Sequence, residues 1–284
     1  MSIRIIEERL TSYKVRNEVE EMQALREITQ EVILCSLGRT DFFKLAAFQG
    51  GTCLRIFYGL NRFSEDLDFT LLKSNKGFAW QTYLEQVKDD VNSFGYNMEI
   101  TDRHTTESTV RSAFLKDEAI AKILQLQYAG KTSLPGKIRI KLEIDINPPS
   151  EGIHEVKYLD FPYISGATVQ NLPTLFAGKL HALLCRDYVK GRDWYDFIWY
   201  TARKTSINFH YLEHALKQSG PWKDIQEPIT HFWLHNELYK KITSIDWNEA
   251  KRDIRRFIPI NEQFSIELWS KDIFIQQLEK LAIT

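Results

Sequence analysis

An α+β fold, a mixed sheet with its helices followed by a helical C-terminal part, is predicted by three features of the sequence. An apolar run from Leu45 to Phe48 ends at the pair Gly50-Gly51 and passes through Thr52 into a helix-spaced segment with Leu54, Phe57 and Tyr58 on one side. Two further segments, Asp66-Leu67-Asp68-Phe69 and Lys137 to Asn147, alternate apolar and polar residues with the period of a strand. Beyond Pro148-Pro149 the chain reads almost wholly at helical spacing. Sheet-forming and helix-forming segments separated in this way place an α/β domain at 1–150 and a mainly helical one at 151–284.

Taken in order, Ile5 to Leu37 has helical periodicity through Val15, Val19, Met22, Leu25, Ile28, Val32 and Ile33, and Gly38 stops it. The strand, glycine turn and helix follow, and then the acidic strand at Asp66. Gly77 to Phe94 is an amphipathic helix through Trp80, Tyr83, Leu84, Val87 and Val91, with strands expected over Tyr96 to Asp102 and Thr105 to Leu115. In the segment after Lys137, Ile138, Ile140, Leu142, Ile144 and Ile146 form a core face, while Lys141, Glu143 and Asp145 lie on the other. Two short strands, Glu155 to Phe161 and Ala167 to Gln170, lead into helices over Leu172 to Arg186, Asp193 to Thr201, Phe209 to Lys217, Pro221 to Lys241, Trp247 to Phe257 and Ile266 to Ala282.

Composition excludes several classes. Of 284 residues, 43% are hydrophobic and 26% charged, as in an ordinary globular protein with a sizeable core. With 37 basic against 38 acidic residues, no global field draws in nucleic acid, so any such binding needs a local patch. Cys35, Cys53 and Cys185 lie in apolar contexts without metal-ligand spacing and are expected as reduced core residues. The first residues lack the apolar stretch of a secretion signal, and no run approaches the roughly 18 apolar residues of a membrane span. A soluble, cytoplasmic protein without membrane contact is expected.

The chemistry concentrates between Gly50 and Asp68. Glycines let backbone N–H groups approach an anion, and the helix start adds unpaired donors and the positive end of a dipole, so the Gly50-Gly51-Thr52 turn can cradle phosphate. Asp66 and Asp68 project from one face of their strand as hard oxygen ligands suited to Mg²⁺. Two ions held roughly 3.5–4 Å apart stabilise the attacking and leaving oxygens of a phosphoryl displacement.

With Gly50-Gly51-Thr52-x-Leu54-Arg55, Tyr58-Gly59 and Arg62-x-Ser64-Glu65-Asp66-Leu67-Asp68-Phe69 in order, the sequence resembles the AbiEii/AbiGii toxin family of nucleotidyltransferases, within the polymerase-β-like superfamily. One departure is Cys53, where alanine is commoner in that motif; a small buried residue serves equally. The resemblance implies a third carboxylate from a neighbouring strand and places Lys-x-Glu at Lys141-Leu142-Glu143, so the expected metal ligands are Asp66, Asp68 and Glu143, with Asp145 as the alternative third.

A second constellation lies downstream. Lys179 and Arg186 are seven apart on one helix and share a face, as do Asp193 and Asp196 on the next. From Phe176 to Thr205 there are six basic residues (Lys179, Arg186, Lys190, Arg192, Arg203, Lys204) and three acidic ones (Asp187, Asp193, Asp196), a local net of +3. Lys-Leu-x-Ala-Leu-x-x-Arg followed by Arg-Asp-x-Tyr-Asp is similar to later motifs of the same family, so the resemblance extends over Ala46 to Tyr200. It implies catalytic roles for Asp66, Asp68, Lys179 and Asp196. It also implies nucleotide contacts from Gly50, Gly51, Thr52, Arg55, Arg62, Lys179, Arg186 and Arg192, with the helical part completing the active site. His181, two residues from Lys179, points elsewhere and is read as structural.

The resulting expectation is a toxin of a type IV toxin–antitoxin or phage abortive-infection system. With Mg²⁺ or Mn²⁺ it would transfer a nucleotide from an NTP to an acceptor such as the tRNA acceptor end, release pyrophosphate, and meet a cognate antitoxin. The alternatives are a kinase-like phosphotransferase or protein nucleotidylation at the same site, and a nucleotide- or RNA-binding protein without chemistry.

Overall fold

In the computed structural model, residues 3–103, 108–117, 119–124, 126, 128 and 137–281 are described. The elements run α1 (Arg4–Thr11), α2 (Glu18–Gly38), α3 (Phe42–Leu45), β1 (Ala46–Gln49), α4 (Gly50–Tyr58), β2 (Asp66–Leu71), α5 (Gln81–Asn92), β3 (Glu99–Arg103), β4 (Val110–Asp117), α6 (Ile120–Ile123) and β5 (Ile138–Asp145). They continue with β6 (His154–Leu159), β7 (Ser165–Gln170), α7 (Leu172–Cys185), α8 (Gly191–Ala202), α9 (Phe209–Gln218), α10 (His231–Ser244), α11 (Trp247–Ile254), α12 (Gln263–Glu267) and α13 (Lys271–Leu278). The expected strand over Thr105 to Leu115 starts later, as β4, and its residues 105–107 lie outside the described ones.

Seven strands form one sheet in the order β3-β4-β5-β2-β1-β7-β6. It is mixed: β2 runs antiparallel to β1 and parallel to β5, β1 is parallel to β7, and β3, β4 and β5 pair antiparallel. The fold is therefore α+β, as the alternation of apolar residues predicts.

Two compact units divide the chain, one comprising Met1–Gly59, Phe63–Pro148 and Glu155–Val169, the other Leu60–Arg62, Pro149–His154 and Gln170–Thr284. In the first, α2 starts because the Asn17 side chain accepts from the Glu20 amide at 2.9 Å, which satisfies one of the orphan N–H groups of the helix start. An aromatic cluster then anchors β2: Phe69 is buried, its ring 5.0 Å from Phe42, 5.2 Å from Phe48 and 5.9 Å from Trp80. Burying a side chain of this size stabilises by about 1.5–3 kcal/mol, and it fixes which face of β2 turns inward. Because strand side chains alternate, Leu67 and Phe69 in the core put Asp66 and Asp68 on the opposite, half-exposed face.

The second unit is helical. Asn171, Asn208 and Thr230 cap α7, α9 and α10 through side-chain oxygens. The Thr230 cap corrects the expected helix over Pro221 to Lys241, since α10 begins only at His231. Pro221 and Pro228 have no N–H to give a helix interior, whereas Thr230 supplies a start. Two large aromatics of this unit, Phe232 and Tyr239, are exposed at 75% and 45%, whereas Trp269 is buried.

Candidate active site

The acidic residues of the first unit are brought together by strand register. In the parallel β2–β5 ladder Asp66 lies opposite Lys141, Asp68 opposite Glu143 and Thr70 opposite Asp145. Parallel partners point to the same face, so Asp66, Asp68 and Glu143 form neighbouring rungs of one acidic patch. Asp145 is one rung further on and otherwise engaged: its carboxylate accepts from the Asn147 amide at 2.9 Å. Burial holds Asp145 above the usual carboxylate range, against the pull of that hydrogen bond.

Glu143 accepts from Ser112 Oγ at 3.1 Å and pairs with Lys141 Nζ at 2.7 Å. Oxygen donors on adjacent rungs of a rigid sheet are the right chemistry for a hard divalent cation. The rotamers are arranged otherwise, and among the described residues no three His, Cys, Asp or Glu side chains converge on a point that would hold one ion. Both contacts are to Glu143 Oε1, so Lys141 stands as a competing cation beside any ion this carboxylate would hold.

The glycine turn is pressed against this patch. Gln49 pairs with Asp68 in the β1–β2 ladder, and Gly50 opens α4 directly after it. Gly50 has φ +77°, and a Cβ there would stand 2.4 Å from Asp68 Oδ2, so both the backbone conformation and the close approach require glycine. Thr52 is buried, and its hydroxyl donates to the Asp66 carbonyl, which ties the start of α4 to the start of the acidic strand. Cys53 is fully buried behind it, as a small residue there should be. Arg55 is drawn to Glu27 at 2.9 Å and stacks 4.7 Å over Phe63.

A second cluster forms within the helical unit. Arg62 is 2% exposed and makes a bidentate pair with Asp196, Nε to Oδ1 and Nη2 to Oδ2, each at 2.6 Å. Lys179 on α7 reaches Asp193 at 2.6 Å and Asp196 at 2.9 Å, and Arg186 approaches Asp193 at 3.3 Å. Helical spacing explains the convergence, because residues three apart on α8 present both carboxylates to α7. Burial alone would raise the Asp193 carboxyl, but the charges of Lys179, Arg186 and Lys190 outweigh it and hold the pKa at about 2. Burial likewise disfavours the charged amine of Lys179, and Asp193 with Asp196 more than offsets this, raising its pKa.

Arg192 has its guanidinium 4.2 Å over the Phe257 ring, and its amide lies 3.4 Å from Asp253 Oδ2. Gly191 is required by packing, since a Cβ would stand 2.0 Å from the Ala250 carbonyl of α11. Asp193, the principal partner of Lys179, was visible in the sequence only as a carboxylate sharing a face with Asp196.

A family model for the AbiEii nucleotidyl transferase toxin of type IV toxin–antitoxin systems matches residues 32–275. The chain belongs to the AbiEii toxin family. Its members are nucleotidyltransferases, so this chain is an enzyme of that class, and the family implies an NTP substrate and an antitoxin partner. No curated protein matches the sequence. Among solved structures, MenT4, a nucleotidyltransferase toxin from Mycobacterium tuberculosis, is similar over 100% of both chains at 16% identity and a TM-score of 0.51. A Helicobacter pylori protein described as a nucleotidyltransferase is similar over 90% of this chain and 91% of its own, at 19% identity and a TM-score of 0.50. These likenesses establish the fold. Among the described residues no helix is long and apolar enough to cross a membrane.

Proposed function

We propose that this AbiEii-family chain is a Mg²⁺-dependent nucleotidyltransferase that transfers a nucleotide from an NTP to an RNA acceptor, with the tRNA acceptor end as the leading candidate. The observation that carries this reading is the register of β2 and β5, which sets Asp68 beside Glu143 on the face that also bears Asp66. Asp66, Asp68 and Glu143 are the residues that would hold the metal, which when bound neutralises phosphate charge and polarises the reacting oxygens.

The remaining work falls to the chain itself. The first turn of α4 offers backbone N–H groups and its positive dipole end to the triphosphate, and glycine at position 50 lets that turn lie against Asp68. Thr52 keeps the turn and the acidic strand in fixed relation through its bond to the Asp66 carbonyl. An acceptor hydroxyl then attacks the α-phosphate in line and pyrophosphate leaves, with positioning and electrostatics as the protein's contribution. In the helical unit Lys179 is held charged by Asp193 and Asp196.

The test is incubation with each α-labelled NTP and total RNA, followed by separation of RNA, protein and nucleotide. Label in an RNA band, together with released pyrophosphate, is expected. Label confined to protein would replace the RNA acceptor with a protein one.

A further inference from the structure

A cavity of about 110 Å³ opens in the helical unit between the end of α7, the start of α8 and the end of α10, several times the room that one water needs. Arg186, Lys190, Asp193 and Lys241 line it, and Asp187 and Tyr188 stand exposed at its rim. Its carboxylates do not balance its cations. Asp193 is already held by Lys179 and Arg186, and Lys241 donates to the Arg186 carbonyl, which carries no charge.

The Lys190 ammonium makes no hydrogen bond or ion pair among the described residues, although the residue is half-buried. Burial lowers its pKa, and Arg186, Arg192 and Lys179 add to this against the attraction of Asp193. An unpaired ammonium beside a second one in a partly enclosed space is costly unless an anion answers it. Tyr188 is 63% exposed with its ring face 5.5 Å from the Arg186 guanidinium and its hydroxyl bonded to Arg186 at 2.7 Å, so the ring is both fixed and open.

We propose that this cavity binds one phosphate group of a nucleotide, with Tyr188 stacking on the adjoining base. An exposed aromatic beside a cationic pocket is the pairing by which single strands are bound without regard to sequence. The choice of RNA as first probe rests on the acceptor proposed above; the cavity itself does not depend on turnover.

The experiment measures binding of a fluorescein-labelled single-stranded RNA oligomer by anisotropy across a salt series, and of ATP by calorimetry. The proteins are wild type, Lys190→Ala, Lys190→Arg, Tyr188→Ala, and Lys217→Ala as an exposed control that pairs with Glu213. Lys190→Ala should weaken RNA binding about tenfold and reduce the slope of log K against log salt by about 0.7, the loss of one phosphate contact. Lys190→Arg should restore most of both, and Tyr188→Ala should cost about tenfold with no change of slope. Lys190→Ala and Tyr188→Ala should both stay folded, since Asp193 keeps its closer contacts to Lys179 and Arg186, and Tyr188 gives up only an exposed bond to Arg186. If ATP affinity falls and RNA affinity does not, the phosphate belongs to a free nucleotide. If neither falls in folded Lys190→Ala and Tyr188→Ala, the cavity is not a phosphate site. Because no step requires transfer, a protein that binds RNA through Lys190 but labels no RNA would refute the acceptor and leave the cavity standing.

Discussion

The buried pair of Arg62 and Asp196 lets stability be predicted with a sign and an order. Asp196 is fully buried and faces two cations, Arg62 at 2.6 Å and Lys179 at 2.9 Å. Removing its carboxylate with Asp196→Leu takes from both cations the partner they share, whereas Arg62→Met leaves Asp196 still paired with Lys179. Breaking a buried pair by deleting one partner costs about 3–5 kcal/mol, so Asp196→Leu belongs at the upper end and Arg62→Met at the lower. For a chain of this size each kcal/mol lowers the melting temperature by roughly 2–4 °C, which gives about 6–20 °C for either variant. The double variant removes two opposed charges together and should lose about 1–3 kcal/mol less than the sum of the singles. Circular dichroism melts and denaturant titrations of the four proteins check this. Single variants that melt with the wild type, or an Arg62→Met loss exceeding that of Asp196→Leu, would refute the electrostatic account of the cluster.

Other outcomes follow from the same structure. Asp68→Asn should lower transfer on the order of 10²–10³-fold with no loss of melting temperature, as removal of one preorganised electrostatic contact does. Gly50→Ala should destabilise by about 1–3 kcal/mol and also reduce transfer, since it strains a positive-φ residue and drives a methyl group into Asp68; unchanged activity in a folded variant would remove the turn from the site. Lys141→Met should tighten Mg²⁺ binding in calorimetry, because it frees the Glu143 carboxylate and deletes a competing cation. Asp193 has a folded-state pKa of about 2, below its ordinary 3.8, so its contribution is present above pH 3.8 and lost as pH falls toward 2. Asp193→Asn should therefore flatten the stability profile in that window, and an unchanged acid limb would contradict the pairing.

Much of the fold was legible in the sequence because its strands and helices have clean periods. Ile138, Ile140, Leu142 and Ile144 alternate strictly and are all buried in β5, and the glycine turn falls between β1 and α4 as its residue types require. Asp66 and Asp68 share a face for the same reason. What periodicity does not supply is register: only the ladder shows that Glu143, not Asp145, adjoins Asp68. Charge partners are equally hidden. Arg62 and Asp196 are 134 residues apart, and nothing local distinguishes a buried guanidinium from one that meets a nucleotide. Lys179 sits on what reads as the polar face of its helix, yet its side chain is 13% exposed because two carboxylates close over it.

The most direct measurement uses one NTP labelled in parallel at the α- and the γ-phosphate, with RNA as acceptor and wild-type protein beside Asp66→Asn and Asp68→Asn. Nucleotidyl transfer predicts that α-label enters RNA, that γ-label leaves as pyrophosphate, and that both variants lose the signal. Entry of γ-label into the acceptor, or undiminished α-label transfer by either variant, would contradict the assignment of the β2 carboxylates to this chemistry.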